Sequence, residues 1–362
     1  MTSANNAVAR PETPDLESAL ASAPNVHAVF EEESKSPLKQ LQHFLHAYPT
    51  TVPFIVLLLG VAVFSFIVGG RFFQPFNLSL ILQQVTIIGI VGIAQTLIIL
   101  TAGIDLSVGA IMVLSSVVMG RLAVLAGLPV ELAFALGLLV GAACGFVNGA
   151  LVTWLRLPPF IVTLGTWSIF GALNLWYSNS TTIRQQEVEA AAPFLQFMGT
   201  AIQFGGARLT YGSILMLLIA AFVWYLLNRT AFGRHVHAAG DDPDAARLAG
   251  INTSRTLLAV YVIAGFICAI AGWVLIGRIG AISALSGVTA NLDSITAVVI
   301  GGTSLFGGRG SIVGTLIGAL IVGVFRNGLA LAGADAVWQE FTIGGLIIIA
   351  VTIDQWIRRV ST

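Results

Sequence analysis

Apolar runs of bilayer-crossing length alternate with short polar intervals along most of this chain. Clear runs cover 52–69, 78–100, 133–155, 160–177, 212–227 and 257–276. A helical span needs roughly 20 apolar residues, fewer where flanking residues snorkel. Weaker runs cover 108–126, interrupted near one end by Arg121, and 311–331, interrupted by Arg326. The run 341–353 is short but extends to Trp356. The run 288–300 carries Asn291 and Asp293, the pattern of a broken or half-crossing helix. Together they predict an all-α polytopic membrane protein with about ten transmembrane helices.

The ends of the chain differ from this body. Residues 1–35 are rich in Ala, Pro, Glu, Ser and Asn and read as a disordered, solvated tail. They contain no positive region followed by an apolar one, so they do not form a cleaved signal peptide. In 36–50, Ser36 and Pro37 open a helix that sets Leu38, Leu41, Phe44, Leu45 and Tyr48 on one face. This is the pattern of an amphipathic helix lying in the membrane interface, with a plain polar lead-in as the alternative. The transmembrane domain follows over 51–357, and 358–362 form a short polar C-terminus.

Composition agrees with the pattern. Of 362 residues 56% are hydrophobic and only 9% are charged, with a mean hydropathy of +0.91. Soluble domains carry roughly 25% charged residues. The 17 basic and 17 acidic residues balance, which excludes a nucleic-acid footprint. The lysines are Lys35 and Lys39, both ahead of the first span, so none is left for chemistry in the body. Cys144 and Cys268 fall in apolar runs and fit no disulfide framework or metal spacing.

Charge sets the expected orientation. With the N-terminus inside, and leaving aside Arg10 far out in the tail, ten Lys and Arg fall on the cytoplasmic side and six on the outer side. Both termini and the interval 228–256 are then cytoplasmic, and 178–210 is a periplasmic loop. That loop could cover a pathway mouth, meet an external partner, or be decorative.

The interval 228–256 is punctuated as a short helix. Asp242 can cap it, Pro243 suits the first position, and Asp244 adds negative charge to the first turn. Ala245, Ala246, Arg247 and Leu248 favour helix, and Gly250 suits a left-handed stop. The segment is either a handle for another protein or an ordinary capped loop helix.

Two breaks interrupt the apolar pattern at membrane depth. One is TAGIDLSVGA (101–110), where Asp105 with Ser107 resembles an N-cap for the run from Val108. The other lies at 288–310, where Asp293 can cap Ser294 to Ile300. Irregular backbone at that depth is tolerated only against protein or water, which favours a solute pathway over a purely structural bundle. Gln83, Gln84, Gln95, Asn148, Asn174, Asn291 and Asn327 lie in or beside spans. Such groups serve a neutral polyhydroxylated solute or glue helices together. His235 and His237 read as surface residues of the 228–256 loop. The stretch GGTSLFGGRGS (301–311) is no phosphate loop, because Gly308 and Arg309 stand where Lys and Ser or Thr are needed. A glycine-lined turn fits it better.

A weak internal repeat is visible. GAACGFVNGALVTW (141–154) precedes FIVTLG (160–165), and GALIVGVFRNGLAL (318–331) precedes FTIGG (341–345). The two units cross in opposite senses, which predicts an inverted repeat unless the likeness is chance.

TAGIDLSVGA (101–110), LPPFIVTLGT (157–166), the GR…AAGDDPDAARLAGI loop (233–251) and GGTSLFGGRGSIVGTLIGALIVGVFRNGL (301–329) together resemble the ribose/xylose/arabinose/fructose-type sugar permeases of bacterial ATP-binding-cassette importers. The likeness runs from about Val52 to the C-terminus and is strongest to fructose permeases of rhizobial type. It implies a multi-pass inner-membrane subunit, not an enzyme, that passes a monosaccharide, fructose first, otherwise ribose, xylose or a related sugar. It implies three partners besides membrane lipid: a cytoplasmic ATP-binding subunit, a periplasmic sugar-binding protein and a second permease copy. No cofactor is bound by this chain, and ATP is used by the partner subunit. The short cytoplasmic helix would dock in a groove of the ATPase, with Pro243, Ala245, Ala246, Gly250 and Ile251 matching the loop's motif. The Glu that opens the coupling motif in some other importers is missing, and Asp242 or Asp244 is the candidate to replace it. The rival readings are a proton-coupled secondary sugar transporter using Asp105 or Asp293, and a passive channel.

Overall fold

Proline, serine and left-handed residues punctuate the apolar runs into helices. The structure, a computed structural model, describes residues 50–287 and 289–358. The tail 1–35, nearly all of 36–50, Val288 and residues 359–362 lie outside the described residues. Helix α1 spans Thr51–Val68 and α2 spans Pro75–Leu100. Helix α3 spans Val108–Gly120 and ends in a π-turn, Arg121–Leu125. Helices α4 (Val130–Thr153) and α5 (Pro159–Ser178) follow. Pro75 and Pro159 sit in the first turn, where a missing N–H leaves nothing unpaired.

Between α5 and the next span lie a short helix α6 (Gln185–Ala191), a 3₁₀ segment (Pro193–Gly199) and a hairpin of β1 (Ala201–Phe204) and β2 (Ala207–Thr210). The strands pair antiparallel, with Ala201 opposite Thr210. The chain continues through α7 (Tyr211–Arg229), α8 (Ala231–Asp241), α9 (Pro243–Leu248) and α10 (Thr253–Ile279). It closes with α11 (Ala290–Ile300), α12 (Ile312–Leu331) and α13 (Ala336–Arg358).

Among the described residues, 8 helices are long and apolar enough to cross a membrane, and α11 and α13 are shorter apolar helices. Every run seen in the sequence is therefore a helix. With 11 residues, α11 reaches only about 16 Å, half of a bilayer's hydrocarbon core.

The repeat extends beyond the two helices visible in the sequence. In the first set, α3 packs on α4 and α5; in the second, α11 packs on α12 and α13. The leading helix of each set crosses to the other: α10 lies along α3 and α4, whereas α2 lies along α11 and α12. These two leading helices run antiparallel. The start of α2 meets the hairpin, where Arg208 N donates to Ser79 Oγ (2.7 Å), and the end of α10 meets the same segment, where Gln196 Nε2 donates to Gly280 O (2.8 Å).

Helix α2 is buried without interruption from Val85 to Leu100. A helix apolar on every side belongs inside such a bundle. The crossing of α4 and α10 needs glycine: a Cβ on Gly145 would strike the Tyr261 carbonyl, and one on Gly265 would strike Gly141. Small residues let the backbones approach, which is how helices gain packing in lipid.

Segment 178–210 is a folded cap and not an open loop. Phe194 stacks on Trp273, Phe197 stacks on Tyr211, and Ile183 forms a bridge with Ile282. Arg121 is satisfied at the same end. Its guanidinium donates to Ser178 O (2.9 Å) and lies 5.4 Å from the centre of the Tyr177 ring.

Candidate functional site

At the end opposite the cap, α9 forms as its punctuation predicts. Asp242 is the N-cap, and its Oδ1 accepts from the N–H groups of Asp244 (2.9 Å) and Ala245 (3.0 Å). Asp244 pairs with Arg247 at 3.0 Å, and Arg247 Nε donates to Thr253 Oγ1 (3.0 Å). Gly250 takes φ 84°, the left-handed stop, and Ile251 N–H returns to Ala246 O. Ala246 is the buried anchor, while Asp242, Pro243, Asp244, Ala245, Arg247 and Gly250 are exposed.

Sequence reasoning passed over two features here. Leu248 projects from the tip of α9 with 91% of its surface exposed. Its isolation among charges was the available signal. Helix α8 was also missed, because a short helix with few apolar residues resembles a loop. Thr230 caps α8, and Val236, Ala239 and Gly240 are buried against the body. Gly240 lies directly on the Leu100 carbonyl, where a Cβ has no room. Leu100 O accepts from Gly308 N (2.9 Å), so the glycine turn 301–311 receives α8. His237 is not the surface residue expected. It is half-buried and hydrogen-bonds Gly308 O at 3.0 Å, whereas His235 is exposed.

From Leu100 the chain enters the irregular segment 101–107, around which four of the proposed polar residues meet. Asp105 Oδ1 accepts from Ser107 N (2.6 Å) and Ser107 Oγ (2.7 Å), and its Oδ2 accepts from Asn148 Nδ2 (3.2 Å). Asn148 Nδ2 also donates to Ser107 Oγ (2.8 Å). The Gln95 amide, in the orientation that satisfies both ends, donates to Asp105 O (3.1 Å) and accepts from Asp105 N (3.2 Å). Thr163 Oγ1 donates to Ile104 O (2.9 Å), and Asn291 Nδ2 donates to Leu106 O (3.3 Å). Helices α2, α4, α5 and α11 are thereby tied to one loop. The expected N-cap role shifts by two residues. Ser107 is the N-cap of α3, and Asp105 folds the turn before it. A buried loop must satisfy its backbone this way.

The remaining polar candidates are elsewhere. Asp293 lies inside the first turn of α11 and does not cap it, because the helix starts at Ala290 after Thr289. Its Oδ1 pairs with Arg326 at 2.7 Å and its Oδ2 accepts from Thr289 Oγ1 (3.0 Å). Arg326 also pairs with Glu340 at 2.9 Å, so one guanidinium joins α11, α12 and α13. Asn327 donates to Asn77 Oδ1 (2.9 Å), tying α12 to α2. Gln83 and Gln84 are half-buried on α2, away from the 101–107 segment.

Among the clefts on the described residues, two bear on these groups. One, of about 620 Å³, lies behind α9 and is lined by Pro243, Arg247, Arg156, Thr101, Thr153 and Ser254, among others. The second, of about 410 Å³, lies between α3, α5 and the turn 284–287. It carries Trp167, Ser168, Asn174, Ser286 and Asn291 and no ionisable residue. Asn291 thus touches both the second cleft and the polar junction. Among the described residues no group of His, Cys, Asp and Glu could hold a metal ion.

Comparison with known proteins gives a consistent picture. Residues 77–351 match the family described as branched-chain amino acid transport system / permease component. The chain is 57% identical over 356 residues to the fructose import permease protein of Rhizobium meliloti, covering 98% of this chain and 99% of that one. It is 39% identical to the ribose import permease protein of Bacillus subtilis (strain 168), covering 86% and 95% of the two chains. It is 36% identical to the D-allose transport system permease protein of Escherichia coli (strain K12), covering 84% and 91%. No solved structure matches the chain at a significant level.

Proposed function

This chain belongs to the branched-chain amino acid transport system / permease component family, and on that premise we propose that it is the membrane subunit of an ATP-binding-cassette importer for a monosaccharide, with fructose the first candidate. It catalyses no covalent chemistry. It sits in the inner membrane with α8 and α9 in the cytoplasm and the 178–210 cap outside. It works with an ATP-binding subunit, a periplasmic sugar-binding protein and a second copy of itself. ATP is hydrolysed on the partner subunit.

One observation carries the reading: α9 is a capped, largely exposed helix held to the start of α10 by Arg247 and Thr253, and α8, just before it, rests at the head of the buried loop 101–107. The cleft behind α9 leaves it room to shift. Helix α8 rests on Leu100, the last residue of α2, and the next residues form the loop that Asp105, Asn148 and Asn291 hold. A push on α9 by a closing ATPase would pass through α8 to that loop and on to α5 and α11. These are packed elements with a continuous mechanical path.

The family's description names branched-chain amino acids, and a zwitterionic solute is the second reading. The cleft beside α5 offers no charge to an ammonium or carboxylate group, which favours a neutral solute.

Leu248 provides the test. It touches little of the body, so Leu248→Asp leaves folding intact while placing a charge in a docking groove. The variant should reach the membrane at normal abundance and lose at least about tenfold in co-purified ATP-binding subunit, equivalent to roughly 1.4 kcal/mol. Undiminished co-purification and uptake would remove α9 from the docking role.

A further inference from the structure

The cleft beside α5 contains a group whose hydrogen bonding is incomplete. Asn174 is buried, with 4% of its surface exposed. Its Nδ2 donates to Ala284 O (2.9 Å), and this bond fixes the amide in place. Its Oδ1 has no partner in the protein and is closed off from solvent just behind the cleft wall. A buried acceptor without a donor is costly, and such a group in a native structure needs a reason. Trp167 lines the same cleft about two turns earlier on α5 and is 41% exposed. Ser168, Ser286 and Asn291 complete a rim of neutral donors and acceptors.

We propose that this cleft is the resting place of the transported solute, and that it takes one neutral sugar ring, with the apolar C–H face against Trp167, hydroxyls on the rim of Ser168, Ser286 and Asn291, and one hydroxyl reaching Asn174 Oδ1 when the turn 284–287 gives way on entry. The inference rests on the importer reading and adds the contacts to it. The volume of about 410 Å³ lies within the roughly 300–1,000 Å³ of small-molecule sites. An apolar wall with a few convergent polar groups is the usual composition of such a site. An indole offers a broad amphipathic surface that costs little conformational entropy to order. The site also borders the moving parts. Asn291 links it to Leu106 in the buried loop, and the Asn174 bond ties α5 to the turn ahead of α11. A shift of the loop would therefore open or close the cleft.

Glycines on α5 make the test independent of folding. A Cβ built on Gly171, in the cleft wall, meets nothing within 4 Å, and the same holds for Gly165, which is not in the wall. Gly171→Phe should plug the cleft without disturbing the helix, and Gly165→Phe is its control. The importer complex, reconstituted in vesicles with ATP inside, reports two quantities: uptake of labelled fructose, and ATP hydrolysis stimulated by the sugar-loaded binding protein. Gly171→Phe should lose uptake by at least tenfold while stimulated hydrolysis stays within twofold of wild type. Gly165→Phe should keep both. Trp167→Ala should also lower uptake at least tenfold, with Trp167→Tyr restoring most of it. Uptake by Gly171→Phe within twofold of wild type, as for a crevice holding only lipid chains, overturns the proposal, as does an equal loss in Gly165→Phe. Wild-type vesicles that import without ATP or binding protein would instead overturn the importer reading, a result separate from either.

Discussion

Asp105 shows how a single side chain can look like a functional group and act as a fastening. An acidic residue in an apolar stretch invites a role in proton transfer. Here its two oxygens accept from Ser107 and Asn148 and turn the chain before α3. Asp105→Ala orphans donors in a dry site, at roughly 1–3 kcal/mol for each group. The variant should lose about 2–4 kcal/mol of stability on that basis, seen as a lowered thermal midpoint of the detergent-solubilised protein. Asp105→Asn should be milder. Asn148 Oδ1 has no partner, so its amide can turn over and accept from the new side-chain nitrogen. Uptake by Asp105→Asn should stay within about threefold of wild type, a loss smaller than one kcal/mol. Abolished uptake at normal abundance would return Asp105 to the list of proton carriers.

At the scale of elements, what could be foreseen divides by the kind of signal. Long apolar runs define their own boundaries, and every run from 52–69 to 341–353 is a helix. The punctuation of α9, from Asp242 to Gly250, was equally plain because each residue has one local role. Helix α8 escaped notice because its buried face is narrow and contains Gly240, whose value lies in contact with Leu100 O, far away in sequence. The cap over 178–210 was unreadable for a related reason. Its order comes from aromatic stacking on Trp273 and Tyr211, not from any periodicity of its own. Polar residues inside spans announced their importance but not their partners. Gln95, Asp105, Asn148 and Asn291 gather at one loop, whereas Asn327 joins Asn77 and Asp293 joins Arg326. The last of these pairings makes its own prediction. Arg326 holds the half-helix α11 to α12 and α13 through Asp293 and Glu340. Removing one member of a buried pair costs about 3–5 kcal/mol, toward the lower end here because Glu340 is half exposed. Asp293→Asn and Arg326→Met should each lower the thermal midpoint, and the exchange Asp293→Arg with Arg326→Asp should recover part of the loss. No recovery would mean that the surrounding dipoles, rather than the pair, fix the charges.

For the whole molecule, the inverted repeat and the placement of charge decide what can drive transport. Two four-helix sets exchange their leading helices, so α2 and α10 form a shared antiparallel centre on which the sets can rock. Such an arrangement serves proton-coupled carriers as well as ATP-driven ones, and the fold alone does not choose. The positions of the acidic groups do. A coupled proton needs a titrating site whose exposure changes with that of the solute. Asp105 is enclosed by its hydrogen bonds, Asp293 is neutralised by Arg326, and neither lines the cleft beside α5. The charged residues around the other cleft, Arg156 and Arg247, lie beside α9, where an external protein can reach them. Energy should therefore enter at that end. In intact cells with ATP maintained by fermentation, collapsing the proton gradient should leave uptake of labelled fructose within about twofold of the untreated rate, under 0.5 kcal/mol of driving force. Deleting the ATP-binding subunit should abolish uptake while this chain remains in the membrane. The opposite pair of results, uptake lost with the gradient and kept without the subunit, would assign the work to Asp105 or Asp293 and leave α9 as a structural loop.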